Sequence, residues 1–222
     1  MNFNIYDYNF TIKLLSGIHI GAGDTEMRIG GVDNKALRNP VDDMPYIPGS
    51  SLKGKVRSLL EYCAGIQKLR NDGQPFTGKD MNKGEEIAAV VKLFGAGGSD
   101  KGDSGVTRLS FADAFLSDDD KNCDKNLFEV KAETAIDRKT GTALRGSLRF
   151  AERVIAGLKF NGRITMKIFA DDDKEAFEKI LLKGLKLLTM DALGGYGSRG
   201  YGRVELKFDD DKVQKEFDSI EL

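Results

Sequence analysis

The stretch Tyr46-Ile47-Pro48-Gly49-Ser50-Ser51-Leu52-Lys53-Gly54-Lys55-Val56-Arg57-Ser58-Leu59-Leu60-Glu61-Tyr62-Cys63 decides how this chain folds. Pro48-Gly49 stops whatever precedes it, and Ser50 or Ser51 is placed to cap a helix. Beyond the cap, Leu52, Val56, Leu59, Leu60 and Cys63 recur at helical spacing and make one apolar face. The spacing predicts a helix over 50–64.

Upstream of it, Tyr6, Tyr8, Phe10, Ile12 and Leu14 alternate with Asp7, Asn9, Thr11 and Lys13. A period of two predicts a strand, here over 5–20, closed by Gly21-Ala22-Gly23. Residues 27–47, with Gly30-Gly31, Pro40 and Pro45, read as a loop or short hairpin. Downstream, 65–83 is polar and loop-like, and Glu85–Phe94 is a short helix closed by Gly95-Ala96-Gly97-Gly98. Val106–Leu116 reads as a strand, 117–126 as an acidic loop, and Phe128–Arg145 as a polar, β-prone arm projecting from the body. Strands Ser147–Ile155 and Lys159–Ala170, a helix Lys174–Ala192, a strand Val204–Phe208 and a charged tail follow. Without the insertions, the order is β-α-β-β-α-β, the ferredoxin-like pattern of the α+β class. The expected organisation is one domain over 1–222. Insertions are expected at 65–105, a helical or loop lid, and at 117–146, the acidic loop plus the arm.

Lys+Arg number 34 against 35 Asp+Glu, a net charge of −1. As a whole-chain figure this disfavours a polyanion binder. The acid is clumped, however: Asp118–Asp120 with Asp124, Asp171–Asp173 and Asp209–Asp211 hold ten of the 35. The rest of the chain is basic, which reopens the question of a local basic surface. One His and two Cys exclude an all-Cys/His zinc site and a disulfide framework, so zinc is not expected and a cytoplasmic location is. No apolar run reaches the length of a membrane span. Trp is absent. Gly reaches 26 residues and clusters, which says the backbone is being placed against something.

Several segments could carry chemistry. The start of the 50–64 helix offers free N–H groups and a positive dipole end, with Lys53 and Arg57 on one face and Lys55 roughly opposite. The plain alternative is a capped amphipathic helix with solvated bases. The loop Gly194–Arg203 holds five Gly with Tyr196, Arg199, Tyr201 and Arg203. Gly195 and Gly197 would let backbone N–H groups approach phosphate, Arg199 would supply forked donors, and Tyr196 a stacking face. A flexible turn is the alternative. Asp33, after Gly30-Gly31-Val32, could hold a divalent ion or take a proton, or simply form an Asx-turn with Asn34. His19 could act as an acid–base group, hydrogen-bond or stack on RNA, or be structural. Arg138 and Lys139 add bases on the arm.

Together these segments resemble the RAMP (repeat-associated protein) subunits of type III-A CRISPR effectors, and most nearly the subunit that forms the helical backbone of the Csm complex. The resemblance rests on Gly17-Ile18-His19-Ile20-Gly21, Gly30-Gly31-Val32-Asp33-Asn34, Tyr46–Arg57, Leu93-Phe94-Gly95, Ile136–Ala143 and Gly194–Arg203, in order along nearly the whole chain. It implies an RRM-type ferredoxin-like core whose copies stack into a filament along crRNA. The arm becomes a thumb that interrupts the guide–target duplex, and target RNA is cut at each interruption with Mg²⁺ or Mn²⁺. The family's catalytic Asp falls on Asp33, as base or metal ligand. Its guide-binding positions fall on His19, Ser51, Lys53, Lys55, Arg57 and Arg138. Implied partners are crRNA, complementary target RNA, further copies of the chain and other Csm-complex subunits. Those are a large polymerase/cyclase-like subunit, a small helical subunit, and the RAMP subunits at the crRNA 5′ handle and 3′ end; a membrane is not among them. A non-catalytic crRNA scaffold and a stand-alone crRNA-processing endoribonuclease are the alternatives.

Overall fold

The computed structural model describes residues 3–23, 34–97, 104–122 and 126–222. Asp33 lies outside them. The first strand, β1 (Phe3–Leu14), buries Tyr8, Phe10, Ile12 and Leu14 and leaves the residues between them facing out. A short β2 (Tyr46–Ile47) leads into α1 (Gly49–Cys63), which buries Leu52, Val56 and Leu60. Each such side chain removed from water contributes about 1.5–3 kcal/mol. Next come α2 (Ile66–Leu69), a 3-10 turn (Gly78–Lys83) and α3 (Glu85–Phe94). Strands β3 (Leu109–Phe111) and β4 (Ala114–Leu116) precede a short α4 (Asp118–Lys121). Then follow β5 (Phe128–Glu133), β6 (Arg149–Val154), β7 (Lys159–Phe169), α5 (Lys174–Met190), β8 (Val204–Phe208) and α6 (Asp211–Asp218).

The main sheet runs β2-β4-β7-β1-β8, with β3 also on β7, and every pairing is antiparallel. Helices back one side of it, and one continuous core joins β1, β7 and β8 to α1, α3, α5 and α6. The fold is therefore mixed α and β around an antiparallel sheet. A smaller cluster, Phe76, Ile87 and Val91, sits beneath the 3-10 segment.

Several boundaries differ from the sequence reading, each for a local reason. The first strand ends at Leu14, not at residue 20. There the chain leaves the sheet: Ile18 bridges Val154, and His19 bridges Gly195. The 106–116 strand is broken at Ala112-Asp113, because the Asp113 carboxylate turns to accept the Gly49 N–H at 2.7 Å. That bond replaces the serine cap, since Pro48 occupies the N-cap position and makes no side-chain cap. The segment 65–83 is not wholly loop, and the charged tail is the helix α6, capped by Asp210. The strand at 149–154 joins β5 in a separate two-stranded ribbon and not the main sheet. At its far end, Ile136 bridges Ala143 around a turn in which the Asp137 carboxylate accepts the Lys139 N–H at 2.8 Å.

Candidate nucleic-acid interface

Three segments far apart in sequence meet at the end of β1. The His19 backbone carbonyl accepts the Gly195 N–H at 2.8 Å. The His19 Nδ1 lies 2.6 Å from the Glu152 carbonyl oxygen on β6. A carbonyl only accepts, so Nδ1 carries the proton of this contact. The ring is buried and stacks on Tyr196, with centroids 5.0 Å apart and planes at 25°. The Arg199 guanidinium lies over the other member of this stack, 4.1 Å from the Tyr196 centroid. Such cation–ring contacts contribute about 0.5–1 kcal/mol where exposed.

The loop that presents these groups is built to one shape. Gly194 has φ +81°, and a Cβ there would sit 2.4 Å from the His19 carbonyl oxygen. Gly202 has φ +75°, and a Cβ there would sit 2.0 Å from the Leu193 carbonyl oxygen. Both need Gly for conformation and for room. Tyr196 itself takes the left-handed region at φ 63°, which a bulky side chain enters only when its surroundings impose it. The glycines therefore fix the loop against the body of the protein, contrary to the flexible-turn alternative.

Asn34 joins the same cluster. Its Nδ2 donates to the Tyr196 hydroxyl at 2.9 Å, and its carbonyl accepts the Glu152 N–H at 3.0 Å. Glu152 also ties in the segment beyond: its carboxylate accepts from the Ala36 N–H at 2.9 Å and from Arg38 at 2.7 Å. The β5–β6 ribbon packs on the loop through charge. Glu133 pairs with Arg199 at 2.6 Å, Lys131 donates to the Arg199 carbonyl at 3.1 Å, and Lys131 and Arg153 lie over the Tyr201 ring. Burial, with the Glu133 carboxylate adding to it, pushes the Tyr201 hydroxyl up to about 12. Glu133 and Glu152 were not singled out from the sequence. Their partners lie across more than a hundred residues in several cases, so no local spacing announces them.

The remaining expected site residues fall in three places. Lys55 pairs with Asp191 at 2.6 Å, which sets its side of α1 beside the entry to the glycine loop. Ser51 is half-buried in the first turn of α1. Lys53 is half-buried on the other side, where burial and the nearby Arg57 push its ammonium down. Arg57 is committed within the chain. It donates to Glu61 at 2.8 Å, to the Gly95 carbonyl at 2.9 Å and to the Phe76 carbonyl at 2.6 Å. Arg138 and Lys139 are exposed at the far end of the ribbon. His19, Gly195, Tyr196, Gly197 and Arg199 form one cluster, Lys55 borders it, and Lys53 with Arg57 faces the α3 side.

Lys53 and Arg57 separate cleanly on this geometry. Lys53→Ala is expected to flatten the salt dependence of RNA binding by about 0.7–0.9 in the log–log slope, as one lost phosphate contact does. A salt titration of affinity measures it, and an unchanged slope removes Lys53 from the phosphate track.

The His19–Tyr196 stack and the cations Lys55 and Arg199, gathered where β1 ends, suit a ligand with both phosphates and bases, whereas the Gly195 N–H, expected to meet phosphate, is spent on the His19 carbonyl. The model of the RAMP superfamily matches residues 11–205. A protein of Methanocaldococcus jannaschii named CRISPR system Cms endoribonuclease Csm3 is 40% identical over 197 residues, covering 88% of this chain and 76% of that one. Proteins of the same name from Streptococcus thermophilus and Enterococcus italicus are each 36% identical. They cover 92% and 95% of this chain and 88% and 94% of their own. The chain therefore belongs to the RAMP superfamily, and within it to the family of these Csm3 proteins.

Among the described residues, no group of three or more His, Cys, Asp or Glu is placed to hold a metal ion. The carboxylates nearest the cluster, Glu133 and Glu152, are taken by Arg199 and Arg38. Nor, among the described residues, is any helix long and apolar enough to cross a membrane.

Proposed function

We propose that the chain is the backbone subunit of a type III-A CRISPR effector, binding crRNA and cutting complementary target RNA as a metal-dependent endoribonuclease. The observation that carries the reading is the match to relatives named as Csm3 endoribonucleases over nearly their whole length. The strand order β8-β1-β7-β4, with α1 and α5 behind it, supports a ferredoxin-like core. The β5–β6 ribbon and the turn beyond it are read as the thumb. Copies of the chain would stack along crRNA, in the cytoplasm, beside the large, small, 5′-handle and 3′-end subunits of the complex.

In this reading the cluster of His19, Tyr196, Gly195 and Arg199 holds the guide backbone, with Ser51, Lys53, Lys55, Arg138 and Lys139 contributing. His19 supports Tyr196 from below, since its ring is buried and its Nδ1 proton is spent on Glu152. Arg57 serves the same surface indirectly, by bracing α1 against 76–95. Asp33 lies next in the chain to Asn34, which is tied on one side to Tyr196 and on the other to Glu152. A splayed target nucleotide would bring its 2′-OH in line with the scissile phosphate, a geometry that A-form stacking denies. Asp33 would take the 2′-OH proton or hold the cation. Mg²⁺ or Mn²⁺ is commonly held by one or two carboxylates plus substrate phosphates, so Asp33 with the RNA suffices, and the ion would stabilise developing charge.

The test is cleavage of an end-labelled complementary RNA by the guide-loaded assembly. Cutting in Mg²⁺ or Mn²⁺ that stops with EDTA supports the reading. An assembly that loads guide and target but leaves the target whole returns the chain to a scaffold role.

A further inference from the structure

The side of the main sheet away from the helices is open. Its antiparallel registers align Tyr46 with Phe115, Phe115 with Asn161, Asn161 with Thr11, and Thr11 with Lys207. These five residues form one row across five strands, roughly 19 Å long at the usual strand spacing. At one end, the Tyr46 and Phe115 rings stack with centroids 5.9 Å apart and planes at 21°. Phe115 is 47% exposed, so its ring face is open to a stacking partner. Beside the rings the Asn161 amide and Thr11 hydroxyl are in reach of each other, at 3.5 Å.

Charge on this face is biased. The outward positions of β1, β7 and β8 hold Lys13, Lys159, Arg163, Lys167 and Lys207 against Asp7 and Glu205. On these strands five cations face two carboxylates, and Asp113 and Asp209 also line the hollow around Arg163 and Asn161, so the surplus is modest and lies toward Lys159 and Lys207. Lys13 and Glu205 are 3.9 Å apart, whereas Lys159, Arg163 and Lys207 have no ion-pair partner among the described residues. The face also runs directly into the glycine loop, because the Leu15 N–H after β1 donates to the Arg203 carbonyl at 2.8 Å.

We propose that this open sheet face is a second RNA-binding surface, distinct from the glycine-loop cluster, which takes a short single-stranded segment. One base stacks on Phe115 beside Tyr46, and phosphates follow Lys159, Arg163 and Lys207. Aromatic stacking is indifferent to base identity, so the surface accepts RNA of any sequence. An exposed ring with amides and unpaired cations fits a stacked polyanion. A neutral protein surface docked there would bury the same cations without partners, a costly outcome.

Photocrosslinking of the full chain to a 4-thiouridine oligomer tests this. Crosslinks at the peptides holding Tyr46 and Phe115 support it; crosslinks confined to 194–203 and α1 overturn it. In parallel, Phe115→Ala is expected to weaken binding of the same oligomer about five- to 150-fold, with Phe115→Tyr close to wild type. Arg163→Ala with Lys207→Ala is expected to lower the salt slope by about 0.7 for each contact. If affinity and slope hold while Phe115→Ala changes the sedimentation mass, the face joins copies of the chain and the proposal is wrong. The Phe115→Tyr variant keeps the test decisive should the alanine variant unfold. None of these readings depends on target cleavage, so loss of activity elsewhere does not imitate them.

Discussion

Asp33→Ala is expected to lower target-RNA cleavage by about 10²–10⁴-fold, the range for losing a positioned general base. Guide loading and assembly should stay at the wild-type level. The reason lies in the neighbouring residue. Asn34 is anchored by its own amide and carbonyl, to Tyr196 and Glu152, so the attachment of this segment survives the change at 33. Asp33→Asn should behave like Asp33→Ala, because an amide neither takes the proton nor binds Mg²⁺ well. Measured rates on a saturating target, with assembly checked by sedimentation, decide it. Cleavage that persists in an intact Asp33→Ala assembly would transfer the chemistry to another subunit.

The second large effect is on stability. Arg57→Ala leaves Glu61, a carboxylate only 4% exposed, without its cation, and strips donors from the Phe76 and Gly95 carbonyls. Removing one partner of a buried pair costs about 3–5 kcal/mol. For a chain of this size that lowers the melting temperature by roughly 10 °C. The Arg57→Lys variant should recover little, since one ammonium cannot serve three acceptors set around a guanidinium. At temperatures where the variant is folded, its salt slope for RNA binding should match wild type. A variant that melts normally but shows a flatter slope would place Arg57 on the phosphate track after all.

Much of this architecture was legible in the sequence because it is written in short-range periods. The alternation of β1, the apolar face of α1 and the limits of α3 at Glu85 and Phe94 all follow from spacing. What failed depended on distant partners. The cap of α1 comes from Asp113, sixty-four residues on, so Ser50 and Ser51 misled. Residues 15–20 keep an apolar pattern but serve Val154 and Gly195 and not the sheet. Of the acidic clusters, Asp118–Asp120 form the first turn of α4 behind Ser117, whereas Asp171–Asp173 and Asp209–Asp210 stay in turns, from which Asp173 caps α5 and Asp210 caps α6. Acids there complement the helix dipole, so much of the charge that masked the basic surface has a structural use. Asp172 is likewise engaged, with Arg108 at 3.0 Å. At the site, residue type gave the glycine loop and its Tyr and Arg. Glu152 carried no local signal, although it holds His19, Asn34 and Arg38 together.

The most direct test of the central claim is the fragment pattern of an end-labelled complementary RNA cut by the guide-loaded assembly. Stacked copies of one cutting subunit predict a ladder of evenly spaced fragments. Replacing the 2′-OH by hydrogen at a single cut position should erase that rung alone. A single cut, irregular fragments, or a ladder indifferent to the missing 2′-OH would contradict the account.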